Sequence, residues 1–191
     1  MDTVDAIYRR RAVRDFTQAT PPKEEVEALI DAAIQAPSGM NRQPWCFVVA
    51  EGRARLERWS ALANAAFADL AGHAAHSHPE LARLGARSSN IFHGAPLLVV
   101  ICATDHELMS IKDCCLAAEN LMLAAEDRGL GSCWIGLAEA WLASPAGKAE
   151  LGVPDAWLPV APIILGRPTS IPPRPHRQPA AIHWLREVVA A

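Results

Sequence analysis

Apolar residues recur along this chain in two rhythms. In residues 21–37, PPKEEVEALIDAAIQAP, the positions Val26, Leu29, Ile30, Ala33 and Ile34 follow the i, i+3, i+4, i+7, i+8 spacing of an amphipathic helix. Pro21 and Pro22 open it, acidic residues crowd its first turn where the helix dipole favours them, and Pro37 closes it. Residues 2–11 predict a shorter helix with Val4, Ile7 and Tyr8 on one side, and residues 52–72 predict a third, ending near Gly72. Residues 110–131, SIKDCCLAAENLMLAAEDRGLG, are rich in Ala and Leu all round, which predicts a central, buried helix stopped at Gly129 or Gly131. Residues 138–150 predict another helix. Short continuous apolar runs at WCFVVA (45–50), APLLVVICATD (95–105) and LPVAPIILGRP (158–168) predict buried strands, and SCWIG (132–136) a strand or turn. Residues 73–95 lose the period and predict a surface flap; the proline- and arginine-rich tail, residues 168–191, predicts an extended segment lying on a surface. No repeat and no linker divides the chain. The order predicts one α+β domain over residues 1–191, a small sheet flanked by many helices.

Bulk charge narrows the function classes. The 191 residues carry a net charge of -3, so no basic excess exists to neutralise a long phosphate track, and nucleic acid is not the expected partner. No apolar run approaches the roughly 18 residues of a membrane span, and the first residues, MDTVDAIYRRR, contain no cleavable apolar leader. Five cysteines, an odd number, sit inside apolar segments, as structural thiols do in a reducing cytoplasm. The chain is therefore expected in the cytoplasm. His73, His76 and His78 have irregular spacing beside Pro79 and read as a surface cluster, so no metal is expected. Asp113 and Glu119 on the long helix predict a buried polar pair at an interface between subunits.

Against this acidic background, RRRAVRDF (9–16) places four arginines within six positions. They are either a solvated cap on the first helix or a site for a small dianion, since guanidinium presents a planar fork of donors and stays charged. Arg174 and Arg177 offer the same chemistry from the tail. APSGMNRQPW (36–45) packs Ser38, Asn41 and Gln43 into a short loop, which is either a helix stop with a turn or a grip for a hydroxyl-rich ligand. RGLGSCWIG (128–136) sets glycines after a buried helix, where a backbone can approach a flat ring. It has no GxGxxG between a strand and a helix, so a Rossmann pocket is not expected, and no Walker motif appears.

These stretches, with HRQPAAIHW at the end, occur in an order that resembles the nitroreductase family of FMN-dependent oxidoreductases across nearly the whole chain. The resemblance implies an intertwined homodimer with a small mixed or antiparallel sheet and two interfacial FMN sites. It implies that Arg10 and Arg11 act at the phosphate, that Ala12 contributes only backbone where relatives often have Ser or Thr, and that Arg14 lies near the pyrimidine ring and tunes the flavin. Pro37, Ser38, Gly39, Asn41 and Gln43 would reach FMN from the partner subunit. Backbone around Ile135, Gly136 and Leu137 would approach the flavin edge, and Arg177, less firmly Arg174, would contact phosphate, with Pro175 standing where relatives often carry a second basic residue. The implied reaction is ping-pong transfer of hydride from NADH or NADPH to a nitroaromatic, quinone or similar small acceptor, without a dedicated catalytic acid or base. The same fold and cofactor also serve dehydrogenases, dehalogenases and flavin-consuming enzymes, and a noncatalytic flavin-binding protein is a further alternative.

Overall fold

The computed structural model describes residues 1–74 and 90–185. Its helices are α1 (Thr3–Arg9), α2 (Lys23–Ala33), α3 (Arg53–Ala74), α4 (Leu108–Asp127), α5 (Glu139–Leu142) and α6 (Pro145–Leu151). Its strands are β1 (Trp45–Glu51), β2 (Leu97–Ala103), β3 (Gly131–Trp134) and β4 (Leu158–Gly166), with 3-10 turns at Gly39–Asn41 and Gly136–Ala138. The four strands form one sheet in the order β1-β2-β4-β3, and every adjacent pair is antiparallel. The fold is α+β, as the alternation of elements predicts.

Alternation along the strands builds two apolar layers, because successive side chains point to opposite faces. Leu98, Val100, Cys102, Cys133 and Ile164 pack against Leu56, Trp59, Ile91, Phe92, Trp141 and Leu142. Leu97, Val99, Ile101, Ile163 and Leu165 pack against Val26, Leu29 and Ala33 of α2 and Cys114, Ala117 and Leu121 of α4. Both β2 and β4 are thus covered on both faces, which explains their continuous apolar runs.

Four expectations need correction. The long helix is not buried all round: Cys114, Ala117, Ala118, Leu121 and Ala125 face the core, whereas Leu108, Met109 and Leu116 are 66%, 51% and 46% exposed. One chain supplies cover for one side only. The helix expected over 138–150 is two, because Ser144 caps a new helix by accepting from the Gly147 N–H at 3.1 Å, and Pro145 brings no N–H with which to continue the previous one. The expected flap over 73–95 ends in core, not on the surface: Ile91, Phe92 and Ala95 are fully buried, and the Ile91 N–H donates to Ser60 Oγ at 2.8 Å. Residues 75–89 of that segment, and the side chains of His73, His76 and His78, lie outside the described residues. Asp113 and Glu119 are not a pair: Asp113 is buried against Gly39, and the half-exposed Glu119 faces Arg10.

At its C-terminus α4 is closed by Gly129, which takes φ +67° while the Leu130 N–H returns to the Ala125 carbonyl at 2.8 Å. The tail from Thr169 to Leu185 has no regular structure and is mostly exposed. Among the described residues no helix is long and apolar enough to cross a membrane, and no group of three or more His, Cys, Asp or Glu is placed to hold a metal ion.

Candidate functional site

The arginine stretch leaves α1 and lies directly beside β3. Ala12 bridges Ser132 in parallel, and the Val13 N–H donates to the Ser132 carbonyl at 3.0 Å. The approach is close enough that a Cβ on Gly131 would stand 2.7 Å from Val13 Cγ1. Glycine is therefore required at position 131 by this contact, and two stretches separated by over a hundred residues become one surface.

On that surface Arg10, Arg11, Ala12, Arg14 and Arg177 line one cavity of about 280 Å³, closed by Pro172, Pro173 and Pro175. Four arginines and no acidic residue line it. Arg11 folds back so that its Nη1 donates to the carbonyls of Tyr8, Arg9 and Arg10 at 2.8–2.9 Å, capping the end of α1. Its Nε is the one buried side-chain nitrogen or oxygen without a hydrogen-bond partner among the described residues. A buried unpaired donor is costly and calls for an acceptor. A phosphate dianion fits that donor set. Arg11 thus caps α1 and also lines the cavity.

Arg10 also reaches α4, its Nε lying 3.6 Å from Glu119 Oε1. Arg174 lies over the Tyr8 ring, 5.1 Å from the centroid, and shares an adjoining cavity with Arg10, Arg11 and Arg177. Its place is therefore on α1, beside the arginine-lined cavity. Arg14 is exposed and stands near Cys133 and His93. Burial pushes the Cys133 thiol up, with Arg14 and Arg10 acting in the opposite direction, so the thiol is protonated near neutral pH. Burial, then Arg14, pulls His93 down and keeps it neutral. His93 has φ +53°, in the left-handed region. Sequence reasoning does not single it out, because its neighbourhood with Arg14 arises only on folding.

After Trp134 the chain leaves the sheet. The Ile135 N–H still donates to the Pro162 carbonyl at 2.8 Å. The reciprocal ladder bond is impossible, since proline has no N–H. The Ile135 carbonyl instead accepts from Ala138 at 3.0 Å and starts the 3-10 turn Gly136–Ala138. The N–H groups of Gly136 and Leu137 lie in the first turn, where no intrahelical acceptor exists. Trp134 Nε1 donates to Glu139 Oε1 at 2.7 Å and braces this turn, a bond between positions the sequence reading leaves unconnected.

The polar loop has a separate mounting. Ser38 Oγ accepts from the Gln43 N–H at 3.0 Å, Gly39 N–H donates to Asp113 Oδ2 at 3.1 Å, and Gln43 Nε2 donates to Asn41 Oδ1 at 3.3 Å. Met40, Asn41 and Gln43 all have positive φ, at 53°, 55° and 51°. Such backbone costs about 1–3 kcal/mol per residue and concentrates at functional sites. Arg42 fastens the loop from outside through Asp105 at 3.2 Å and Glu107 at 2.6 Å. Pro37, Asn41 and Gln43 are exposed, and none of the loop lines the arginine cavity of its own chain. The structure therefore joins Arg10, Arg11, Ala12, Arg14 and Arg177 around one cavity next to β3, and keeps Pro37, Ser38, Gly39, Asn41 and Gln43 apart in a loop anchored at Gly39 by Asp113 of α4.

The Nitroreductase family model matches residues 7–167. The chain belongs to the nitroreductase family. It is 29% identical over 177 residues to a candidate NADH dehydrogenase/NAD(P)H nitroreductase of Methanothermobacter thermautotrophicus, covering 90% of this chain and 80% of that one. It is 32% identical over 191 aligned positions to the 5,6-dimethylbenzimidazole synthase of Rhodospirillum rubrum, covering 91% and 86%. The crystal structure of an FMN-bound nitroreductase from Desulfitobacterium hafniense DCB-2 superimposes with a TM-score of 0.82 at 26% identity, over 97% of this chain and 100% of that one.

Proposed function

We propose that this nitroreductase-family protein is an FMN-dependent NAD(P)H oxidoreductase that works as a homodimer on small-molecule acceptors such as nitroaromatics or quinones. The observation that carries the reading is the cavity lined by Arg10, Arg11, Arg14 and Arg177 with no acidic residue in its wall. Bound there, FMN would supply hydride acceptance from NADH or NADPH and electron delivery to the acceptor.

The chain's own residues divide the work. Arg10, Arg11 and Arg177 hold the phosphate, with Arg174 on Tyr8 keeping the tail in reach. Arg14, exposed in the single chain, would face the pyrimidine side and favour negative charge there once the bound ring and a second copy exclude water from it. Gly136 and Leu137 present backbone donors to the ring edge. Ile135 contributes position alone, its N–H being committed to Pro162. At about 280 Å³ the cavity falls below the roughly 300–1,000 Å³ of sites that enclose a drug-sized molecule, so one chain supplies part of the site. The exposed Leu108, Met109 and Leu116 of α4 suit a second copy, whose Ser38, Gly39, Asn41 and Gln43 would complete it.

Absorbance of the purified protein tests the cofactor, and anaerobic mixing with NADH or NADPH tests the reductase. A yellow protein that bleaches, then recovers colour on adding a nitroaromatic or quinone, agrees with the proposal. A protein that binds FMN but is not bleached is a carrier, or belongs with relatives of other activity. The synthase relative favours that second reading, and oxidation products of the FMN-loaded protein distinguish it.

A further inference from the structure

Asp113 is a charged side chain that the proposed chemistry leaves unused, and it is only 4% exposed. It sits near the start of α4, where Met109 and Cys114 bracket it in sequence. Its Oδ2 accepts from the Gly39 N–H at 3.1 Å, across 74 positions of chain. Gly39 is pressed against the same helix: an added Cβ would stand 2.9 Å from Met109 Cγ and 3.9 Å from Asp113 Oδ2. Beyond Gly39 follow Met40 and Asn41, both in left-handed backbone, and Gln43, whose N–H is taken by Ser38 Oγ. A loop with so much unfavourable backbone relaxes unless something outside it fixes its first residue. The outer fastening through Arg42 is exposed, with Asp105 and Glu107 at the surface, and exposed ion pairs contribute little. The buried Asp113 oxygen is the stronger tie, because its bond to Gly39 lies away from water that would compete for it.

We infer that Asp113 is a positioning residue for FMN: it anchors Gly39 so that Ser38, Asn41 and Gln43 are held ready for the cofactor before it arrives. This rests on the FMN reading above. The contribution is preorganisation. A loop already ordered loses less entropy on binding, so removal of the anchor weakens FMN without removing any group that touches it.

The test uses the full-length protein stripped of FMN, with Asp113→Ala, Asp113→Asn and Gly39→Ala. Hydrogen exchange of the apoproteins reads the loop, and fluorescence titration with FMN reads affinity. Asp113→Ala is expected to speed exchange at residues 39–43 while leaving β2 protected, and to raise the FMN Kd by about tenfold or more. Asp113→Asn keeps an oxygen that accepts from Gly39, and is expected to stay within about threefold of wild type. Gly39→Ala should reproduce the Asp113→Ala behaviour through its clash with Met109. Wild-type affinity or wild-type exchange in Asp113→Ala overturns the inference. So does equal damage in Asp113→Asn, which would make charge the cause instead of the anchoring bond. If the wild-type protein binds no FMN, the cofactor reading fails and the positioning role falls with it, whatever exchange shows.

Discussion

The guanidinium of Arg174 lies over the ring of Tyr8, 5.1 Å from its centroid, and so ties the C-terminal tail to the first helix. At an exposed site such a contact contributes about 0.5–1 kcal/mol. It holds down a mostly exposed segment, next to Arg177 at the arginine-lined cavities. Tyr8→Leu should accelerate protease cleavage between residues 168 and 177 severalfold and weaken FMN retention, whereas Tyr8→Phe, which keeps the aromatic face, should match wild type. Equal cleavage rates in all three proteins would show that the tail is held by other contacts.

Gly131 sets how closely the arginine stretch approaches β3. Alanine there would place a methyl group 2.7 Å from Val13 Cγ1 and force the two segments apart. We expect Gly131→Ala to cost about 1–3 kcal/mol in chemical denaturation, as overpacked sites do, and to weaken FMN binding in parallel. An affinity unchanged despite the lost stability would separate the strand contact from the cofactor.

Arg14 is assigned to the flavin's electronics, and its effect should appear in potential as well as affinity. Arg14→Ala should weaken FMN about tenfold and shift the two-electron potential to more negative values in a redox titration. Both quantities at wild-type values would remove Arg14 from the site.

The brace between α3 and α6 should respond to acid. Glu150 accepts from Arg58 at 2.7 Å and 2.9 Å and from Trp59 Nε1 at 2.9 Å. These bonds, Arg58 first, draw its carboxyl down to about 2 from the ordinary carboxylate range. The folded state therefore takes up this proton less readily than the unfolded chain. The resulting stabilisation is complete above the unfolded value of about 4.3 and is lost as pH falls from there toward 2. The Tm difference between wild type and Glu150→Gln should be constant from neutral pH down to about 5 and shrink below that. A difference independent of pH would assign the effect to packing.

Phe92 is fully buried beside Ile91, though it follows a segment with no apolar period. Phe92→Ala should cost about 3–5 kcal/mol by denaturant titration, a core-sized loss. A loss under about 1 kcal/mol would place the ring on a surface.

Elements with a strong period, or with an unbroken apolar run, are legible in the sequence: α2 from Val26, Leu29 and Ala33, β2 and β4 from their two-sided cover. The arginine stretch is legible as a possible anion site because its charge contradicts the chain's acidic balance. What stays hidden is pairing at long range. No spacing rule links Ala12 with Ser132 or Gly39 with Asp113, since those contacts depend on how helices pack on the sheet. Burial of Phe92 is hidden for a similar reason. A short turn has too few residues to display a rhythm. The one-sided exposure of α4 is hidden because Leu and Ala on a helix read the same whether their cover comes from the same chain or from another.

Pro162 carries a consequence for anyone redesigning this protein. Any ordinary amino acid at that position would bring a proton aimed at the Ile135 carbonyl, which now serves Ala138. Two donors would then compete for one acceptor, and β3 would gain a rung at the expense of the turn that follows it. A replacement made only to regularise the strand would leave the Gly136–Leu137 corner with two competing conformations, and a population of molecules whose N–H groups there point elsewhere.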